Sequence, residues 1–190
     1  NNDASLALDG ASGGRWLADG RVGYHAGESA RSRAVDFSGS ELGRWLTETG
    51  RQATARDVRR AMEICVENAN HSIFNAAHSN RQYAGMGTTL VGAIFIEDRV
   101  VIAQVGDSRV YLIRDGQVTQ VTHDHSWVEE QVRAGLMRRE DAEMSPFRNV
   151  ITRSIGATAT VVPDFYEERA QVGDVWVLCS DGLTGHVQEG

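Results

Sequence analysis

The chain contains no lysine. All 19 of its basic residues are arginine, set against 26 acidic residues and a net charge of −7. Codon usage in a GC-rich genome explains the missing lysine without reference to function, and composition alone cannot turn arginine's bidentate fit to phosphate into a function. A strongly basic face is not evident, which argues against a reader of nucleic acid and against a binder of anionic membrane surfaces. Such acidity suits a protein that gathers carboxylates around cations. Cysteine is scarce as well. Cys65 lies in a helical pattern and Cys179 in a strand, so both read as buried thiols; a disulfide framework is not expected, in keeping with a reducing compartment, the cytoplasm. No apolar run approaches the ~20 residues that cross a bilayer, and no signal-peptide pattern opens the chain. What remains is 190 residues, 41% of them hydrophobic, which fits one domain with a substantial core.

The most informative stretch is Leu178-Cys179-Ser180-Asp181-Gly182-Leu183-Thr184. The apolar run Val175 to Leu178 delivers Asp181 to the end of a strand, and Gly182 lets the backbone turn at once. Asp19-Gly20 ends a second apolar stretch, Trp16-Leu17-Ala18. A third aspartate, Asp107, follows the run Val100 to Ala103 within Val105-Gly106-Asp107-Ser108-Arg109. Any one Asp-Gly pair reads most simply as a turn. Three strand-end aspartates suggest instead one site for a hard divalent cation, Mg²⁺ or Mn²⁺, which prefers oxygen donors. Without a cation, carboxylates so gathered repel one another.

Residues 1–20 read as two short strands about the turn Asp9 to Gly14, the second running from Arg15 to Ala18. Residues 27–49 carry helical spacing with breaks at Gly39 and Gly43. The strongest helical pattern covers 54–79, with Thr54 as N-cap and an apolar stripe of Val58, Ala61, Met62, Cys65, Val66, Ala69, Ile73, Ala76 and Ala77. From Thr88 the period changes to two. Thr88 to Glu97, Arg99 to Val105, Val110 to Arg114 and Gln117 to Thr122 read as an antiparallel meander with turns at Glu97-Asp98 and Asp115-Gly116. Polar, helix-forming segments occupy 125–147, and strands resume at Val161 to Ala170 and Asp174 to Ser180. Long helices with such a meander make an α+β layered domain.

Read in order, these motifs resemble a bacterial member of the metal-dependent type 2C protein Ser/Thr phosphatase family. The matching segments are Asn1-Asn2-Asp3, Ala18-Asp19-Gly20 with Gly27-Glu28-Ser29-Ala30, Gly85-Met86-Gly87-Thr88-Thr89, Val105 to Tyr111, Thr122-His123-Asp124-His125-Ser126, Ile151 to Gly156, and Cys179-Ser180-Asp181-Gly182-Leu183. The resemblance implies a four-layer αββα sandwich, two antiparallel sheets flanked by helices, lacking the family's last helices and strand. It implies one catalytic domain over 1–190, partial at both ends, with a flap at 123–148. It also implies roles. Asp19 bridges two Mn²⁺ or Mg²⁺ ions and Gly20 offers a carbonyl. Asp181 binds one of them, Asp3 acts directly or through water, and Asp107 with Asp181 holds a third ion. The implied reaction is attack on phosphorus by a water shared between cations, with no phosphoenzyme and with Cys179 a bystander. The implied substrates are proteins carrying phosphoserine or phosphothreonine, opposed to a Ser/Thr kinase in bacterial signalling, by a monomer that uses neither nucleic acid nor membrane.

His25 is the candidate general acid, with a solvated loop histidine as the plain alternative. His123 and His125 read as surface residues. Within the flap, Trp127, Arg133, Arg138, Arg139 and Arg148 offer a phosphopeptide contact or simply solvated charge. The pattern departs from the family at Asn2, where a Glu is usual, and at Arg21-Val22-Gly23-Tyr24. Arg21 is a candidate phosphate contact; an exposed loop arginine is the plain alternative. These departures also keep open a degenerate, non-catalytic binding module.

Overall fold

Alternating residues along one sheet are buried on both of its faces, because a helix covers one side and a second sheet the other. The computed structural model describes residues 4–8, 14–19, 29–30, 32–34, 42–45, 48 and 53–181. Five strands, β1 (Ala4–Leu8), β2 (Gly14–Ala18), β3 (Leu90–Ile96), β4 (Arg99–Val105) and β7 (Asp164–Arg169), pair antiparallel in the order β1-β2-β3-β4-β7. Three more, β5 (Arg109–Arg114), β6 (Gln117–Gln120) and β8 (Val175–Cys179), form a second antiparallel sheet in the order β6-β5-β8. On one face of the larger sheet Trp16, Ala18, Leu90, Ile94, Val101, Ala103 and Val105 pack toward helix α1 (Ala55–Ser79). On the opposite face Leu17, Val91, Ala93, Val100 and Ile102 meet Val110, Trp176 and Leu178 of the smaller sheet. A period of two thus serves two cores at once. Trp16 lies opposite Gly92, and a Cβ there would stand 2.3 Å from its ring, so only glycine leaves room for the indole.

Helix α1 starts where the sequence places it. Thr54 and Asp57 form a capping box: Asp57 N–H donates to Thr54 Oγ1 at 3.2 Å, and Thr54 N–H donates to the Asp57 carboxylate at 2.9 Å. The expected stripe from Val58 to Ile73 is buried, with Ala76 and Ala77 partly so, and Cys65 and Cys179 are buried free thiols. Residues 29–30, 32–34 and 42–45 are helical, and Ala30, Ala34 and Leu42 join the same core. Gly43 falls inside helix rather than breaking it, and the break expected at Gly39 lies outside the described residues. The described residues thus supply a helical layer and both sheets of the αββα arrangement. Among them no helix is long and apolar enough to cross a membrane.

The expected meander divides in two. Both hairpins form at the predicted turns, where Glu97, Asp115 and Gly116 take positive φ. They belong to different sheets, however, because the chain crosses from one to the other at Gly106–Ser108. Between β6 and β7 lie two short helices, α2 (Trp127–Arg133) and α3 (Arg139–Met144).

Candidate functional site

Asp19, the residue after β2, is built into the end of the larger sheet. Its carbonyl accepts from Thr89 N–H and from Thr88 Oγ1, each at 3.0 Å, and its own N–H donates to Thr89 Oγ1 at 3.3 Å. The Thr89 hydroxyl is also 2.7 Å from Ser108 Oγ. Both hydroxyl residues are buried, so a short polar chain links the backbone of Asp19 to the residue beside Asp107. Ser108 leads into β5, where Arg109 pairs with Cys179 of β8. Asp107 stands two residues before Arg109 and Asp181 two residues after Cys179, so both lie at the same end of this strand pair. The three strand-end aspartates therefore gather at one end of the sandwich. Asp19 is 9% exposed, Asp107 half-buried and Asp181 exposed.

Among the described residues no three His, Cys, Asp or Glu side chains are grouped so as to hold a metal ion. The structure places Asp107 and Asp181 at the end of one strand pair and ties the backbone of Asp19 through the Thr89 hydroxyl to Ser108, the neighbour of Asp107. It does not close these three into one ligand cluster. Asp3, Gly20, Arg21 and His25 lie outside the described residues. The donors present are oxygens of three carboxylates and two hydroxyls. Cys179, the cysteine nearest Asp181 in sequence, is enclosed at 4% exposure. An oxygen-only set fits Mg²⁺ or Mn²⁺ better than a thiophilic metal.

The loop carrying Asp107 is held from the opposite side by a residue the sequence placed on the surface. His125 is buried, 5% exposed. Its Nδ1 accepts from Gly106 N–H at 3.0 Å, and its own N–H donates to Gly106 C=O at 2.9 Å. The other ring nitrogen, Nε2, lies 2.9 Å from Asp164 Oδ2, and Arg153 holds the second oxygen of Asp164 at 2.9 Å. Gln104 Nε2 adds donations to Gly106 C=O at 3.0 Å and to His123 C=O at 2.9 Å. Burial pushes the His125 imidazole below its ordinary value against the pull of Asp164. Burial pushes the Asp164 carboxyl up, but the hydrogen bonds from His125 and Arg153 outweigh it and hold the group below the usual carboxylate range. One signal for this network was present in the sequence: Gln104 is polar inside the apolar run Val100–Val105, and a buried polar side chain must find partners. His123, by contrast, is exposed as expected.

The 123–148 segment is anchored at both ends. Trp127 N–H donates to Val150 C=O and Thr152 N–H to His125 C=O, each at 2.9 Å. Asp124 takes a bidentate pair from Arg109, with bonds of 2.9 and 2.8 Å. Burial lowers the Arg109 guanidinium, and Asp124 and Tyr111 more than offset it. Of the arginines in this segment, Arg139 grips the buried Glu129, Arg138 pairs with Asp141 at 2.8 Å, and Arg148 donates to Ser145 C=O at 3.3 Å. Trp127 stacks edge-on with Phe147 at 5.5 Å. Beside Thr88 a groove of about 760 Å³ opens between the end of α1 and the Ile151–Ala157 strap, lined among others by His78, Arg81, Gly87 and Ser154.

Comparison with known proteins adds a direct result. Residues 17–156 match the family model described as protein phosphatase 2C. The serine/threonine phosphatase stp of Listeria innocua is 39% identical over 173 residues, covering 91% of this chain and 67% of that protein. The chain therefore spans about two thirds of the length of this relative. Among solved structures, the Streptococcus agalactiae serine/threonine phosphatase superposes with a TM-score of 0.86 at 33% identity, over 97% of this chain and 75% of the other. The catalytic domain of the serine/threonine protein phosphatase PstP, solved with two manganese ions, gives 0.80 at 30% identity, over 99% of this chain and 75% of that one.

Proposed function

The chain belongs to the protein phosphatase 2C family, and on that premise we propose that Asp19, Asp107 and Asp181 hold the divalent cations with which it works. The chain is a protein serine/threonine phosphatase. Relatives named as serine/threonine phosphatases support the enzyme over the binding-only reading. The observation that carries the metal assignment is that Arg109 pairs with Cys179, which leaves Asp107 and Asp181 at the same end of the β5–β8 pair, while Thr89 and Ser108 bind the backbone of Asp19 to the same corner.

Mn²⁺ or Mg²⁺ held by these oxygens supplies Lewis acidity, lowering the pKa of water and offsetting charge on phosphoryl oxygens. The chain's own residues favour water as the nucleophile. Cys179 and Ser180, the nearest nucleophilic side chains to Asp181 in sequence, are 4% and 2% exposed and so are not presented to a substrate. Asp3 and Gly20 complete the ligand set in this proposal, His25 is the general acid, and Arg21 contacts the phosphoryl group. The groove beside Thr88 gives the substrate polypeptide a place to lie. The setting is the bacterial cytoplasm, where a Ser/Thr kinase supplies the phosphorylated proteins.

The test is phosphate release from a phosphothreonine peptide with and without Mn²⁺. We expect release to require the metal and to fall by at least about 100-fold in Asp181→Asn, the scale of losing one charge-stabilising group. Metal-independent release, or full activity in that variant, would refute the assignment.

A further inference from the structure

We propose that His125 is a positioning residue that fixes the Asp107 limb of the cation centre from the base of the flap. The inference rests on the assignment of Asp107 made above. Asp107 follows Gly106, whose φ of +106° is open only to glycine in practice. A Cβ at Gly106 would also stand 2.6 Å from the buried Thr89 side chain. This one peptide geometry sets where the Asp107 carboxylate starts. His125 holds Gly106 twice: the ring accepts from its N–H at 3.0 Å, and the backbone donates to its C=O at 2.9 Å.

A backbone N–H can only donate, so Nδ1 must carry the lone pair, and the proton of the neutral ring sits on Nε2. From there it is given to Asp164 Oδ2 at 2.9 Å, and Asp164, at the start of β7, is held by Arg153. The ring is thus oriented from both sides within a buried site. The carbonyl of the same residue accepts from Thr152, in the segment that closes the flap. One residue joins the flap's base to the peptide that aims Asp107. Partners of this kind, which orient a metal ligand without touching the metal, change affinity by about 10- to 100-fold when removed.

Two substitutions separate this role from mere packing. Asparagine keeps an acceptor close to the position of Nδ1 but loses Asp164. Glutamine reaches toward Asp164 but offers no acceptor to Gly106. The probe is Mn²⁺ alone, titrated calorimetrically into the folded chain. We expect His125→Asn to bind Mn²⁺ within about threefold of the parent and His125→Gln to bind about 10- to 100-fold more weakly. Unchanged affinity in His125→Gln, or equal losses in both variants, overturns the proposal. Asp107→Asn serves as control. If it binds Mn²⁺ as the parent does, the Asp107 assignment fails and the His125 role fails with it. If it weakens while His125→Gln does not, only the His125 role fails. Should His125→Gln not fold, nitrogen NMR of the parent carries the test: an Nε2–H tautomer, with Nδ1 and the Gly106 amide shifting as Mg²⁺ is added, is expected. An Nδ1–H tautomer, or resonances indifferent to Mg²⁺, overturns it.

Discussion

Gly106 shows how much of the site depends on single atoms. Its φ of +106° and the Thr89 side chain 2.6 Å from a notional Cβ exclude any other residue without displacement. Gly106→Ala is therefore expected to lower stability by about 1–3 kcal/mol, the usual cost of strained backbone, read from urea midpoints. An unchanged midpoint would show that the loop relaxes freely. None of this was legible beforehand. A glycine before an aspartate announces a turn, but not which neighbour crowds it. His125 was misread for a related reason: a histidine beside two polar residues looks solvated, and only the fold supplies the buried N–H that requires its ring. The aspartates themselves were legible, because an apolar run ending in an acidic residue marks a strand end without tertiary knowledge.

The element scale was the most legible. Helix α1 reads locally, from its Thr54 cap and its stripe at 3.6-residue spacing, and the hairpins read from turns at Glu97-Asp98 and Asp115-Gly116. The assignment of those hairpins to separate sheets was not legible, since a crossing at Gly106–Ser108 has the same local signature as another turn. Asn70 was missed on the buried face of α1. It donates to the carbonyls of Thr158 and Ala159 at 2.9 and 3.1 Å and accepts from Gly156 N–H at 2.6 Å, bonds at a separation no local pattern reveals. One tie between elements has a pH signature. Arg114, at the end of β5, holds Asp174 by two bonds of 2.8 Å just before β8. That pairing lowers the Asp174 carboxyl from 3.8 to about 2. A depressed acid stabilises the fold above its unfolded value and loses that contribution as pH falls toward the folded one. Stability should thus decline between pH 3.8 and about 2 through this group. Asp174→Asn should be less stable at neutral pH and show a shallower acid decline in urea midpoints from pH 5 downward. Parallel declines in the two proteins would assign the acid sensitivity elsewhere.

At the scale of the whole molecule, the connected path is the main result. Thr152 binds His125, His125 holds Gly106, and Thr88 and Thr89 hold Asp19, while Thr88 pairs with Ile155 in the strap that follows residues 123–148. The 123–148 segment and the proposed cation centre are thereby parts of one hydrogen-bonded frame. A cation bound only by the folded state stabilises it by about 2.7 kcal/mol at a hundredfold excess over Kd. For a domain of this size that is a rise of about 5–10 °C in Tm. Mn²⁺ should produce such a rise in the parent and not in Asp19→Asn; equal shifts in both would place the ion elsewhere. The most direct measurement is anomalous scattering at the manganese edge from crystals grown with Mn²⁺. The account predicts peaks against the carboxylates of Asp19, Asp107 and Asp181. Protein that releases phosphate only with Mn²⁺, yet shows no peak at these residues, would contradict it.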